Sequence, residues 1–512
     1  MNSLKNIMLR GIFVSRRLAA RPLQTKHLVR TFESRDEALE FYDTHTGLSI
    51  GQLEPVLSQI AFMESGSKAL EGSSLFKDER FIRFLLQASS EMESCDTAHL
   101  VRYATAISKL SLPRGGCAEV SELARMIGEV AIRRLNAFSP TTLSQLAFGL
   151  GTRGVSDPQF VDFVRIESMK MMQDFSSESA ITMLEAFRRI GIFSRELTDN
   201  LVERLTDEVD RFSSKDIVNC VTVFSRLGLG RGFLLRRLSR LSYENLSLFS
   251  ETQLVRLAGG FARLRFTTSA SVEEILCEVE KRGIKNFSAS QACELLFAAA
   301  MTPYTGNSTV LDSLVKLVDR NMDSLTVTSQ VDAAWALSVL DETESYASVL
   351  DRLKKGIFSI PPPSNRQLLL KALEIGCEET DNNHQWKGAM EEAEKLEMNR
   401  YESSRLHSEI LALVESIKLP EREGEKITLE RNARIGNLFR VDFFNPNLNL
   451  VLDIDTLSRP TALVLKHRRI LSAGAFRPVA LSYWDLRKMK SFEEQQEWIK
   501  SKILKALKKS AS

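Results

Sequence analysis

Three aspartates near the C-terminus, Asp442, Asp453 and Asp455, are the residues of this chain best placed to do covalent chemistry. Asp442 lies in the alternating run Leu438 to Phe444, and Asp453 and Asp455 lie in or just beyond the apolar run Leu448 to Ile454. Carboxylates on two adjacent strands can hold a Mg²⁺ ion that activates water and stabilises charge developing on a phosphate. A second group is suited to binding rather than catalysis. Arg226, Arg231, Arg236, Arg237, Arg240, Arg256, Arg263 and Arg265 face only Glu244 and Glu251 in the same stretch, a local net charge of +6. The planar arginine fork suits phosphates and stacked bases better than a lysine ammonium does. Neutralising phosphates releases counterions, so affinity from such a surface depends on salt. A third group, Lys466, His467, Arg468 and Arg469 followed by Tyr483 and Trp484, sets bases beside aromatic faces that can stack nucleobases. Against these readings, the three aspartates are more readily a scaffold feature satisfied by nearby arginines, a charged run is equally the solvated face of a helix, and Trp484 is equally a core residue.

The remaining reactive residues do not form a constellation. The sequence has no glycine loop with a phosphate-binding lysine, no His-x-x-x-His helix and no kinase signature. Its six histidines are dispersed. The six cysteines (Cys95, Cys117, Cys220, Cys277, Cys293 and Cys377) include no Cys-x-x-Cys pair. They read as buried free thiols on helices in a reducing compartment. No cofactor is expected, and Mg²⁺ enters only if the three aspartates hydrolyse a phosphodiester. With 43% hydrophobic and 26% charged residues over 512 positions, the chain is globular and divides into two to four structural units. No stretch approaches the roughly 20 apolar residues of a membrane span. The net charge of +2 carries little weight beside where the charge sits.

The elements that must position the arginines show themselves as a repeat. Phe-Ser recurs at Phe138-Ser139, Phe175-Ser176, Phe212-Ser213, Phe249-Ser250 and Phe287-Ser288, then changes to Leu325-Thr326, with spacings of 37, 37, 37, 38 and 38. Such a period means stacked supersecondary units. The Ser or Thr is a good helix N-cap, and the apolar residue before it sits where a hydrophobic staple packs. Twelve positions after each anchor stand Leu150, Phe187, Phe224, Phe261, Ala299 and Leu337, all predicted to be core. Gly154, Gly191 and Gly228, sixteen positions after the first three anchors, suit the left-handed exit of a helix. A second helix follows in each unit, as at Leu197 to Val209, and a divergent unit is expected from Asp96 to Leu110. Over roughly Ser94 to Ile357 the array resembles the heptatricopeptide- and octotricopeptide-type repeats of organellar RNA-binding proteins.

The two ends differ in character. From Met1 to Phe32 there are seven bases and no acid, interleaved with Ile7, Leu9, Ile12 and Phe13, the composition of an organelle transit peptide. After Pro361-Pro362-Pro363 the helical period ends, with helices expected at Arg366 to Ile375 and within Met390 to Lys418. Strands follow at Leu438 to Phe444, Leu448 to Ile454 and Phe476 to Tyr483, and a last helix at Glu493 to Leu507. The tract Leu452-Asp453-Ile454-Asp455, Leu465 to Leu471, Gly474, Val479 and Ser482 to Leu486 resembles the RAP domain. That domain occurs in organellar RNA factors, the Fas-activated kinase relatives among them. Thr456 stands where a glycine often follows the acids, and Leu457 to Thr461 lacks the usual His-Phe. The RAP domain is in turn similar to the restriction-endonuclease fold, which presents Mg²⁺ ligands on adjacent strands. Asp455 occupies the place where that fold usually has a lysine.

The resemblances imply a mainly α protein: an α-solenoid of helical hairpins with a period of about 37 residues, then a small α/β restriction-endonuclease-like RAP domain. The expected layout is a transit peptide at 1–32, a helical cap at 33–93, the array at 94–358, a helical linker at 359–425 and the RAP-like domain at 426–512. They imply a mitochondrial-matrix protein, or a plastid one, that binds organellar mRNA or rRNA and serves stability, processing or mitoribosome assembly. Mitoribosomal proteins are expected partners, and membranes and small-molecule substrates are not. A metal-dependent RNA endonuclease and a structural scaffold are the alternatives. Arg236, Arg237, Arg256 and Arg263 on one face would favour RNA over scaffolding.

Overall fold

A computed structural model describes residues 31–45, 47–66, 74–113, 116–192, 194–229, 232–264, 270–302, 308–340, 344–359, 361–362, 386, 388–389, 392, 405–417, 427–435, 439–455, 476–482, 485–486, 489 and 491–508. Among them are nineteen α-helices and one four-stranded sheet near the C-terminus. The chain forms two compact units, residues 1–211 and 212–512, and the division falls immediately before the anchor Phe212. No described helix is long and apolar enough to cross a membrane.

In the N-terminal unit the helices are α1 (Arg35–Thr44), α2 (Ile50–Gly66), α3 (Glu79–Glu91), α4 (Thr97–Lys109), α5 (Ala118–Ile132), α6 (Pro140–Thr152), α7 (Pro158–Lys170), α8 (Ser177–Ile190) and α9 (Arg195–Glu208). Each even-numbered helix from α2 to α8 packs on the next even one, and the odd-numbered α3 to α9 form a second row. In the stretch Asp96 to Leu110 the helix is α4, capped by Asp96, with Tyr103, Ala104 and Ile107 buried. The approach within the first row is close: a Cβ on Gly149 would lie 2.6 Å from the Ala104 carbonyl oxygen.

The C-terminal unit repeats the scheme with α10 (Ser214–Leu227), α11 (Gly232–Glu244), α12 (Glu251–Arg263), α13 (Ala270–Arg282), α14 (Ala289–Met301), α15 (Ser308–Arg320), α16 (Val327–Leu340) and α17 (Glu344–Phe358). Here α10, α12, α14 and α16 stack in one row and α11, α13, α15 and α17 in the other. Gly260 permits the α10–α12 contact, since a Cβ there would lie 2.5 Å from Val221 Cγ1.

The predicted caps are in place. Ser139, Ser176, Ser213, Ser250 and Ser288 are all N-caps whose hydroxyls accept a backbone N–H three residues on. Thr326 does the same for the Ser329 N–H. The residues twelve after each anchor are all buried. Gly191 and Gly228 end their helices in the left-handed conformation, where a Cβ would be strained.

The sheet consists of β1 (Glu430–Ile435), β2 (Phe439–Asn445), β3 (Leu450–Asp455) and β4 (Arg477–Ser482) in that spatial order. The first three strands run antiparallel, and β4 is parallel to β3. Ile410, Leu413 and Val414 of α18 (Arg405–Glu415) and Ile499 and Ile503 of α19 (Phe492–Lys508) join Phe443, Leu450, Leu452, Ile454, Val479 and Leu481 in one core. The expected hairpin is therefore β2–β3, and its turn is tied by the Leu448 N–H donating to Asn445 Oδ1 at 2.7 Å. Strand β1 is an addition to the strands expected from sequence. The helix expected at Arg366 to Ile375 lies outside the described residues, and α18 is the described part of the one expected within Met390 to Lys418.

Candidate nucleic-acid interface

The arginines divide between the two helix rows. Arg226 is on α10, and Arg256 and Arg263 are on α12, all three exposed. Arg236 and Arg240, both exposed, and the half-buried Arg237 are on α11 in the other row. Arg236 and Arg237 thus stand on one row and Arg256 and Arg263 on the other, and row placement alone does not give them the common face that would favour RNA over scaffolding. Arg265, Lys466, His467, Arg468, Arg469, Tyr483 and Trp484 lie outside the described residues.

On the first row, Arg263 reaches from α12 to α14, with its guanidinium 5.6 Å from the Phe297 ring centroid. Phe297 in turn lies 5.0 Å from Trp335 of α16. Cation and rings attract because the aromatic face is electron-rich. Gly259 leaves the guanidinium room: a Cβ there would lie 3.0 Å from Arg263 Nη1. Glu294 of α14 stands beside these arginines. Desolvation raises its carboxyl above the ordinary range; Arg263 and Arg256 oppose the rise and Asp332 adds to it. The equivalent arginine 74 positions earlier, Arg189, has a structural role instead. It lies 4.6 Å from the Phe148 ring and pairs at 3.0 Å with Glu185, which is buried and also holds Arg188 at 2.8 Å.

On the second row, Leu234, Leu235 and Leu238 bury one side of α11. The opposite side presents Arg236 and Arg240 to solvent, with Arg240 paired to Glu244 at 2.8 Å across one turn. Arg236 has no ion-pair partner among the described residues. Two further residues of this face are not among those singled out from sequence: Phe233 is 64% exposed and Tyr243 59%. Their signal is present, since both fall off the leucine stripe at helical spacing from the arginines.

The sheet brings Asp442 and Asp453 to adjacent strands, as expected, but buries them at 1% and 3% exposure. The β2–β3 ladder is regular at Phe443–Leu452, and one step further the carboxylates take over. Asp442 Oδ2 accepts the Ile454 N–H at 2.6 Å, and Asp453 Oδ1 accepts the Asp442 N–H at 3.3 Å. His407 of α18 sets Nε2 3.5 Å from Asp442 Oδ1 and packs its ring 5.9 Å from Phe443. These oxygens thus satisfy backbone amides inside the domain. No group of three or more His, Cys, Asp or Glu among the described residues is arranged to hold a metal. The side chain of Asp455 lies outside the described residues.

Of the described cysteines, all are free; Cys95, Cys220 and Cys293 are buried, Cys117 is half-buried and Cys277 is exposed. Burial pushes the Cys95 thiol up to about 11 and the Cys293 thiol up to about 12, which leaves both protonated and unreactive at neutral pH.

Residues 84–307 are similar to a family described as RNA-editing substrate-binding complex 6 protein (RESC6). The match covers a little under half of the chain and contains helices α4 to α14, with both arginine surfaces. No curated protein matches the chain.

Proposed function

We propose that this protein binds RNA through the exposed arginines of α10 to α12 and works within an RNA-editing or RNA-processing complex. The observation that carries the reading is the coincidence of two features in one stretch. The segment similar to an RNA-editing substrate-binding complex family also holds the densest arginine cluster, with at least five of its arginines exposed. Arginines offered to solvent without an equal number of acids suit a polyanion.

In this reading, residues 94–358 form an α-solenoid with a period of about 37 residues, following a helical cap at 33–93. A linker at 359–425 leads to a RAP-type domain at 426–512, whose Lys466, His467, Arg468, Arg469, Tyr483 and Trp484 add a second RNA contact. The basic, acid-free segment at 1–32 directs the chain to the mitochondrion. The RNA is organellar mRNA or rRNA, and the partners are proteins of the same complex.

Titration of the full-length protein against labelled RNA at increasing salt tests the binding claim. The logarithm of the affinity should fall linearly with the logarithm of salt concentration, by about 0.7 per phosphate neutralised on a single strand. Absence of RNA binding at low salt would overturn it.

A further inference from the structure

The second-row helices allow a comparison at matched positions, because their buried residues Phe160, Leu197, Leu234, Val272 and Val310 follow one another at 37, 37, 38 and 38. Two residues beyond each stand Asp162, Asp199, Arg236, Glu274 and Asp312. In α7 and α9 the acid pairs with an arginine of its own helix, Asp162 with Arg165 at 3.2 Å and Asp199 with Arg195 at 3.5 Å. In α15 the acid accepts the Tyr346 hydroxyl of α17 at 2.8 Å. Only α11 reverses the sign at this position within the five. Its face also gains aromatic rings: Phe233 and Tyr243 match Gln159 and Met169 of α7, Glu196 and Thr206 of α9, and Thr309 and Asp319 of α15.

We propose that the outer face of α11 is a binding strip for unpaired RNA, in which Phe233 and Tyr243 stack bases while Arg236 and Arg240 between them hold phosphates. This rests on the RNA-binding reading above and adds the strandedness of the ligand and the residues that select it. The two rings are ten residues apart, about 15 Å along the axis at the rise of an α-helix, with the arginines at intermediate heights on the same side. A solvent-exposed ring gains nothing from a duplex, whose base faces are already stacked on one another. An unpaired strand offers those faces, and stacking of this kind tolerates any base. The exposed guanidinium of Arg236, with no ion-pair partner among the described residues, is available to a phosphate. The Arg240–Glu244 pair is exposed and weak enough to be exchanged for one.

The test titrates full-length protein with a labelled unstructured oligoribonucleotide and with the same strand annealed to its complement. The variant Phe233→Ala/Tyr243→Ala, which replaces exposed residues by a good helix former, should weaken single-strand binding by about tenfold or more. Its duplex affinity and its salt slope should match the wild type, since every phosphate-binding arginine is kept. Tyr243→Phe, which keeps the ring, should bind as the wild type does. Unchanged single-strand affinity in the double variant, or an equal loss on the duplex, would overturn the strip while leaving the RNA reading intact. A wild-type protein that binds neither RNA would overturn both.

Discussion

The acids of the sheet and the arginines of α11 are both dense clusters of charge in the sequence, and the fold uses them in opposite ways. Asp442 and Asp453 are turned inward, where their oxygens accept the amides of Ile454 and Asp442 and replace ladder bonds between β2 and β3. A buried carboxylate in such a place is costly to remove, because its donors are left without acceptors. Arg236 and Arg240 are turned outward and hold nothing essential to the fold. Residue type therefore signals chemistry only once burial and partners are known. Arg189 makes the same point within one residue type, since its neighbours Glu185 and Phe148 commit it to packing.

The largest expected effect belongs to the inward set. Asp442→Ala should destabilise the sheet by about 3 kcal/mol, because it leaves the buried Ile454 amide without its acceptor. Faster hydrogen exchange at Ile454 is the expected result. Exchange at the wild-type rate would show that the carboxylate does not carry that bond.

The outward set should behave in the reverse manner. Arg236→Glu/Arg240→Glu should reduce RNA affinity by roughly tenfold or more and lower the salt slope by about 0.7 for each phosphate no longer neutralised. Thermal unfolding should move little, within about 0.5 kcal/mol, as for other exposed substitutions. A large drop in stability with RNA binding intact would invert the comparison.

Arg189→Ala sharpens it within one residue type. It should cost about 1–2 kcal/mol, because the Phe148 ring loses its cation and buried Glu185 one of its two arginines, measured by denaturant unfolding. Arg240→Ala should cost close to nothing by the same measurement.

The smallest effect is expected at Glu294. Its carboxyl is raised in the folded chain, so the fold binds the proton more tightly than the unfolded chain does. The stabilising contribution is therefore complete below the unfolded value, 4.5, and is lost as pH rises through the raised one. Glu294→Gln should remove that loss, leaving stability flatter with pH across this window. It should also strengthen RNA binding slightly by removing an acid beside Arg256 and Arg263. An unchanged stability–pH profile would show that Glu294 is not desolvated.

Much of the helical part is legible in the sequence because local rules act there directly. A serine after a buried phenylalanine announces a cap, and Gly191 and Gly228 announce an exit, without any knowledge of distant contacts. Strand β1 is hidden because Glu430 to Ile435 lacks a clean alternation, and Asn432 takes a positive φ of 47° that interrupts the pleat. Phe233 and Tyr243 do not stand out because aromatic residues in this array are mostly core, as Phe224 and Phe261 are. The division of the arginines between two rows depends on how helices pair, which composition does not encode. The burial of Asp442 and Asp453 depends on strand register and on His407, thirty-five residues before Asp442 in sequence.

The most direct test of RNA binding in the cell is ultraviolet crosslinking and immunoprecipitation of the tagged protein from whole cells, with sequencing of the recovered RNA. Enrichment of discrete RNA sites, reduced in the Arg236→Glu/Arg240→Glu variant, is the predicted result. Recovery of protein partners with no RNA above background would contradict it.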